Sequence, residues 1–187
     1  MGYFEGELRL PEGHYDERDL VVISNHIKEI GKLEYDLLEV GCYLGRSTTI
    51  FGRAAKENKK TLNVVDPFYG GEEPPFREVV SWQFHRNMHI QGLLENIRVF
   101  PMTSESFFER IHECVPDISV LHLDGNHTQE NIMLEIRWLV TKTHNMVVMH
   151  DTMLEEVNNC CYKIIENGFQ EVYRSELDDR GMTIFMK

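Results

Sequence analysis

Short aliphatic runs alternate along the chain with longer stretches in which apolar positions recur every three or four residues, and this alternation predicts the elements. Leu20, Ile23, Ile27 and Ile30 share one face of a helix spanning Asp16 to Gly31, where Gly31 is well placed to end it. A strand from Tyr35 to Val40, a loop from Gly41 to Gly45, a helix from Ser47 to Asn58 and a strand from Thr61 to Val65 form a βαβ unit. Pro67 through Pro75 holds three prolines and two glycines at the end of that second strand, so it reads as a loop and a candidate lid. A helix from Glu78 to Gln91, a strand from Ile97 to Phe100, a helix from Ser106 to Cys114 and a strand from Ile118 to Leu123 continue the pattern. The helix Gln129 to Val140, the strand Met146 to Met149 and the helix Glu155 to Asn167 follow, the last ended by Gly168. Two final strands, Phe169 to Ser175 and Met182 to Met186, flank Asp178-Asp179-Arg180-Gly181. That connection is too short for a parallel crossover and demands an antiparallel hairpin.

The expected fold is α/β and doubly wound in the Rossmann-like manner: a mostly parallel seven-stranded sheet with an antiparallel C-terminal strand and helices on both faces. With 187 residues and 42% hydrophobic content the chain suits one core. A single domain is expected over residues 1–187, with 1–33 as a helical cover and 34–187 as the core.

Charge narrows the partners. The 31 acidic residues against 19 Lys and Arg give a net charge of -12, which repels an extended phosphate backbone unless basic residues cluster on one face. No such cluster is present, and Lys56, Lys59 and Lys60 read as a solvated helix end, so no nucleic-acid partner is expected. Cys42, Cys114, Cys160 and Cys161 show neither CxxC spacing nor a disulfide framework, which fits a reducing, cytoplasmic setting. No membrane partner is expected, because no apolar run approaches spanning length and the start lacks a basic and apolar leader pattern. Met1-Gly2 has Gly6 where a myristoylation signal needs Ser or Thr.

The candidate chemistry sits at strand ends. Leu121-His122-Leu123-Asp124-Gly125-Asn126-His127 and Val147-Val148-Met149-His150-Asp151 are two apolar runs that each end in a carboxylate with an imidazole nearby. In an open parallel sheet, ligands bind at such carboxyl ends. Taken alone, Asp124 also suits a strand-to-helix turn, His127 a helix cap, and His122 a satisfied core histidine. The first strand leads into Glu39-Val40-Gly41-Cys42-Tyr43-Leu44-Gly45-Arg46-Ser47, where two glycines let a ligand approach backbone amides at a helix start. This G-x-x-x-G spacing departs from the G-x-G-x-x-G fingerprint of dinucleotide sites and favours a ligand without a pyrophosphate. Asp66 ends the second strand 25 residues after Gly41, where an acid accepts hydrogen bonds from ribose hydroxyls. Pro101-Met102-Thr103-Ser104-Glu105 supplies small polar groups where an adenine ring could lie, although Ser104 also suits a helix cap. His85 and His89 share a helix at i and i+4, but no nearby acid completes a metal site. Leu134, Ile136 and Trp138 read as core positions on a covering helix.

Taken together, these residues resemble the class I S-adenosylmethionine-dependent methyltransferases. The chain is most similar to the small-molecule O-methyltransferase group of macrolide-sugar methyltransferases and cephalosporin hydroxylase-like proteins. The likeness rests on Glu39 to Ser47, Asp66-Pro67-Phe68, Asp124-Gly125-Asn126-His127 with its following helix, and His150-Asp151-Thr152. It implies that Glu39, Gly41, Gly45 and Ser47 hold the methionine end of S-adenosyl-L-methionine, Asp66 its ribose and Ser104 its adenine side. It implies metal binding, magnesium being the expected cation, at Asp124 and Asp151. His150 stands where the sugar enzymes often have Glu, and enters as the third ligand. Thr141-Lys142-Thr143-His144-Asn145 replaces the proline and glycines usual before the fifth strand, so that turn is built differently.

The resemblance implies a transferase that methylates a hydroxyl of a small-molecule acceptor, with the cation and Asp124 orienting the oxygen and His127 removing its proton. The substrate-covering N-terminal additions of some relatives are expected to be short or absent. A homodimer is compatible with the sequence. Two other readings stay open: an S-adenosylmethionine-binding module without turnover, and a nicotinamide-dependent oxidoreductase, against which the missing G-x-G-x-x-G counts.

Overall fold

The strand Ile118–Leu123 is buried at all six positions, as expected of a central parallel strand covered on both faces. It is β4 of a computed structural model that describes residues 10–69, 76–111, 114–175 and 180–187. The remaining elements are α1 (Glu17–Ile30), β1 (Asp36–Val40), α2 (Arg46–Asn58), β2 (Leu62–Val65), α3 (Phe76–Ile90), β3 (Ile97–Phe100), α4 (Ser104–Ile111), α5 (Gln129–Leu139), β5 (Thr143–His150), α6 (Glu155–Asn158), α7 (Cys161–Glu166), β6 (Gln170–Ser175) and β7 (Met182–Met186). The seven strands lie in the order β3-β2-β1-β4-β5-β7-β6. All neighbouring pairs among β1 to β5 are parallel, and β7 runs antiparallel to both β5 and β6. The sheet is thus mostly parallel with one reversed C-terminal strand, as the periodicity predicts. Residues 70–75 of the proline-rich stretch, the first nine residues and Asp178-Asp179 lie outside the described residues.

Two apolar layers cover the sheet. One contains Leu20, Ile23 and Ile27 of α1, Phe51, Ala54 and Ala55 of α2, and Phe84 and Met88 of α3. The other contains Phe107 and Phe108 of α4, Ile132, Ile136 and Leu139 of α5, and Val157, Cys160, Cys161 and Ile164 from α6 to α7. Leu134 and Trp138 pack against this second layer only partly buried. His85 and His89 are exposed. Among the described residues, no helix is long and apolar enough to cross a membrane.

Two boundaries differ from the sequence pattern. The strand expected from Met146 begins at Thr143, because backbone pairing with Ile118 does not require apolar side chains. The helix expected from Glu155 to Asn167 breaks after Asn158. There Cys160 N–H bonds to the Val157 carbonyl and Lys163 N–H to that of Cys160, tightening the turn while both halves keep facing the sheet.

Candidate active site

The carboxyl ends of β2, β1, β4 and β5 lie side by side along one edge of the sheet. Gly41, at φ +82, follows β1 so closely beneath β4 that a Cβ there would lie 1.9 Å from the Asp124 carbonyl oxygen. Gly45, at φ +92, caps α2, and its missing Cβ makes room for Met88 and Phe84 of α3. The intervening turn is fastened by Asp66: Oδ2 accepts the amides of Cys42 and Tyr43 at 2.7 and 3.0 Å, and Oδ1 accepts that of Phe68 at 2.6 Å.

Glu39 and Ser47 face each other below this loop. Glu39 Oε1 accepts the Ser47 hydroxyl and Oε2 that of Thr48, each at 2.7 Å, and His122 Nδ1 donates to Oε1 at 3.0 Å. The Tyr15 hydroxyl lies 2.7 Å from His122 Nε2. His122 is therefore a satisfied core histidine, and Glu39 and Ser47 shape the loop from inside. Arg46 donates to the carbonyls of Tyr15 and Pro11, pinning residues 10–16 beside the loop. Tyr15, which the sequence pattern did not single out, also lies against His150, with ring centroids 4.1 Å apart.

Asp124, His127 and Asp151 converge at the ends of β4 and β5, their candidate ligand atoms all within 4.8 Å of one another. Asp151 adopts φ +56, unusual for a residue with a Cβ, and is only 1% exposed, whereas Asp124 and His127 are 23% and 34% exposed. His127 Nε2 stands 2.8 Å from Asp151 Oδ2 as an ion pair, and both atoms are buried without a well-directed hydrogen bond. With the imidazole unprotonated, these two atoms and Asp124 offer a nitrogen and carboxylate oxygens close enough together to fit one divalent cation.

His150, expected as the third ligand, lies against both acids. It is almost fully buried, with Nδ1 bonded to Asp124 Oδ1 at 3.2 Å and 3.3 Å from Asp151 Oδ2. It meets the two acids from the buried side, and His127 is the more accessible of the two imidazoles.

Electrostatics fit the same picture. Burial opposes charge on Asp124, but the neighbouring His150 and His127 imidazoles outweigh it and hold its pKa at about 2. Asp151 is likewise held well below the carboxylate range, its two histidine neighbours overcoming burial. The carboxylates in turn raise His127, chiefly through Asp124, to about 9, and lift His150 to about 10 against its burial. Two carboxylates in so small a space require positive charge, which protons supply here and a cation would supply more compactly.

Two further residues escaped the sequence reading. Arg180, in the β6–β7 turn, donates from Nη1 to Asp151 Oδ1 at 3.2 Å. Arg180 and Gly181 are held just past the end of β5 by Met153 N–H to the Arg180 carbonyl and Thr152 N–H to that of Gly181. Glu135 is a buried acid on α5 beside Ser104, and burial, its largest influence, pushes its pKa to about 8 while the Ser104 hydrogen bond opposes the shift. Its position among Ile132, Ile136 and Leu139 on the sheet-facing stripe was a legible signal.

The ordinary value for Glu135 is 4.5 and its folded value is about 8. The stability it contributes is therefore complete below the lower value and is lost as pH rises through the higher one. Glu135→Gln, which cannot ionise, should melt at a progressively higher temperature than the parent across that window, as followed by circular dichroism. A difference independent of pH would show that this carboxyl ionises as freely folded as unfolded.

The strand order, the reversed β7, the glycine loop and the strand-terminal acids define the class I S-adenosylmethionine-dependent methyltransferase fold. A family model described as "Methyltransferase domain" matches residues 38–152, and the chain belongs to that family. No curated protein matches it in sequence. Among solved structures, an O-methyltransferase from Bacillus cereus in complex with SAH is similar, with TM-score 0.66 and 11% identity, over 95% of this chain and 84% of that one. The O-methyltransferase TomG from Streptomyces achromogenes, in complex with SAM, gives TM-score 0.66 and 10% identity over 95% and 82%. Aeropyrum pernix fibrillarin with natively bound S-adenosyl-L-methionine gives TM-score 0.58 and 13% identity over 90% and 74%. At such identities the likeness is one of fold.

Proposed function

We propose that the chain transfers the methyl group of S-adenosyl-L-methionine to a hydroxyl of a small molecule, with a divalent cation held by Asp124, His127 and Asp151. The observation that carries this reading is the convergence of those three side chains, whose candidate ligand atoms lie within 4.8 Å of one another, beside the glycine loop. The cofactor's methionine end would lie over residues 41–45, with Ser104 on its adenine side. Asp66 accepts three amides, and a carboxylate offers about four lone-pair positions, so one remains for a ribose hydroxyl.

A bound cation lowers the pKa of a hydroxyl placed on it and fixes its direction for in-line transfer. His127 then serves as a ligand in place of the proton acceptor expected from sequence, because a nitrogen lone pair directed at a cation is unavailable to a proton. His150 and Arg180 hold the carboxylates in place from either side, as outer-shell partners do. An imidazole beside two carboxylates makes manganese as natural an occupant as magnesium.

Calorimetric titration with S-adenosylhomocysteine tests cofactor binding, and a donor-turnover assay with and without chelator tests catalysis and the cation separately. His127→Ala should weaken manganese binding about 10-fold or more, by analogy with loss of a ligand or its support. Loss of kcat with manganese affinity intact would return His127 to the role of general base. Absence of S-adenosylhomocysteine binding would sink the reading altogether.

A further inference from the structure

Tyr15 plays no part in the reaction above, yet it stands between the two networks on which the site depends. It precedes α1, is 5% exposed, and belongs to a segment that Arg46 holds at the start of α2 through the carbonyls of Tyr15 and Pro11, at 2.8 and 3.0 Å. A Cβ on Gly13 would lie 2.8 Å from that of Arg46, so the segment fits closely along the arginine stem. Tyr15 meets two buried histidines, one with its hydroxyl and one with its ring. His122 Nδ1 donates to Glu39 at 3.0 Å, which leaves Nε2 of the neutral imidazole to accept, and the Tyr15 hydroxyl donates to it at 2.7 Å. Glu39 is also the acceptor for Ser47 and Thr48, so this chain of donors ends beneath the glycine loop. The phenol ring lies against the His150 imidazole at 4.1 Å between centroids, and His150 Nδ1 is bonded to Asp124 Oδ1.

We propose that Tyr15 is a positioning residue with two separable duties: its hydroxyl fixes His122 and Glu39 beneath the glycine loop, and its ring braces the His150 imidazole that holds Asp124. The duties separate because they lie on different atoms. Without the hydroxyl, His122 keeps its packing but loses the donor that fixes which nitrogen faces Glu39. An aliphatic side chain in place of the ring leaves a void beside His150, into which the imidazole can tilt away from Asp124. The bearing of Tyr15 on methyl transfer rests on the cofactor and cation roles proposed above, but the two contacts do not.

The test compares Tyr15→Phe and Tyr15→Leu with the parent protein in S-adenosylhomocysteine and manganese titrations, thermal melting and crystal structures. Phenylalanine keeps the ring alone. It should weaken S-adenosylhomocysteine binding by about 3–10-fold, the worth of one buried hydrogen bond, and leave manganese affinity within about threefold. Leucine loses both contacts and should also weaken manganese binding by about tenfold, the usual scale for an outer-shell loss. A Tyr15 that only filled the core would lower the melting temperature of both variants and change neither affinity, or both in parallel. Tyr15→Phe that binds both ligands as the parent does, or loses both in equal measure, would overturn the proposal, as would parent-like manganese affinity in Tyr15→Leu.

If Tyr15→Leu does not fold, Tyr15→Met fills more of the buried volume without a flat ring; the same loss of manganese affinity is expected, and its absence overturns the proposal. If the parent binds no manganese, the cation reading fails on its own. The ring's duty is then decided by the crystal structure of the leucine or methionine variant, where the Asp124–His150 hydrogen bond should be broken and an intact one overturns the proposal. If the parent binds no S-adenosylhomocysteine, the His122–Glu39 bond in Tyr15→Phe decides the hydroxyl's duty in the same way.

Discussion

Gly41→Ala is expected to lower the unfolding free energy by roughly 2–5 kcal/mol, combining about 1–2 kcal/mol for a side chain in the left-handed region with about 1–3 kcal/mol for overpacking. The added methyl has nowhere to go: at φ +82 its carbon would stand 1.9 Å from the carbonyl oxygen of Asp124, a backbone atom in the turn after β4. Relief requires β1 and β4 to part at their carboxyl ends, where Asp124 N–H bonds to the Val40 carbonyl at 2.8 Å. Gly45→Ala provides the control. There the methyl would meet the mobile end of Met88, Cε at 2.5 Å, which can rotate aside, so the cost should be smaller despite a similar φ. Urea denaturation of both variants checks the ranking, and a Gly45→Ala protein as unstable as Gly41→Ala would refute it. The surviving folded fraction of Gly41→Ala should also bind manganese poorly, because the displaced oxygen belongs to a proposed ligand residue.

Asp151→Asn should abolish turnover, by about 100-fold or more, and weaken manganese binding on the same scale, since it removes the charge of a proposed ligand and its orientation together. Asparagine matches the shape of the side chain but replaces one oxygen with a donor that repels the Arg180 guanidinium or the cation, whichever it faces. The change also leaves His127 and His150 with Asp124 alone, so both imidazoles should titrate lower than in the parent, a shift that proton NMR of the histidine ring signals would register. S-adenosylhomocysteine affinity should hold within about threefold, because the glycine loop and Asp66 are separate from Asp151. Parent-like turnover in the chelated variant would remove the cation from the mechanism.

The sheet was legible because its central strands β4 and β5 are buried on both faces and carry apolar runs, while β1 and the edge strand β3 show shorter apolar segments broken by Glu39 and Arg98. The break between α6 and α7 was not, because Val157, Cys160, Cys161 and Ile164 keep helical spacing across it while the backbone tightens. In the site, Asp66, Asp124 and Asp151 stand at the strand ends where the sequence pattern put them. The placement of His127 against both acids and of His150 in the core beneath them depends on side-chain directions that no local pattern encodes. Glu39, which the resemblance implied as a cofactor contact, accepts hydrogen bonds from Ser47, Thr48 and His122, long-range and local contacts that no sequence periodicity announces. Arg180 was hidden because contacts between distant segments leave no local periodicity, and Tyr15 for the same reason.

The docking of the β6–β7 turn has a consequence for the order in which the protein becomes functional during synthesis. The glycine loop, Asp66 and Asp124 all precede residue 125, but Asp151 acquires Arg180, and β5 its second neighbour, only when residues 180–186 have emerged. A nascent chain stalled after α7 would carry the glycine loop beside an Asp151 that still lacks Arg180. Cation uptake by ribosome-bound chains of increasing length should accordingly begin late and abruptly, marking closure of the sheet's last hairpin.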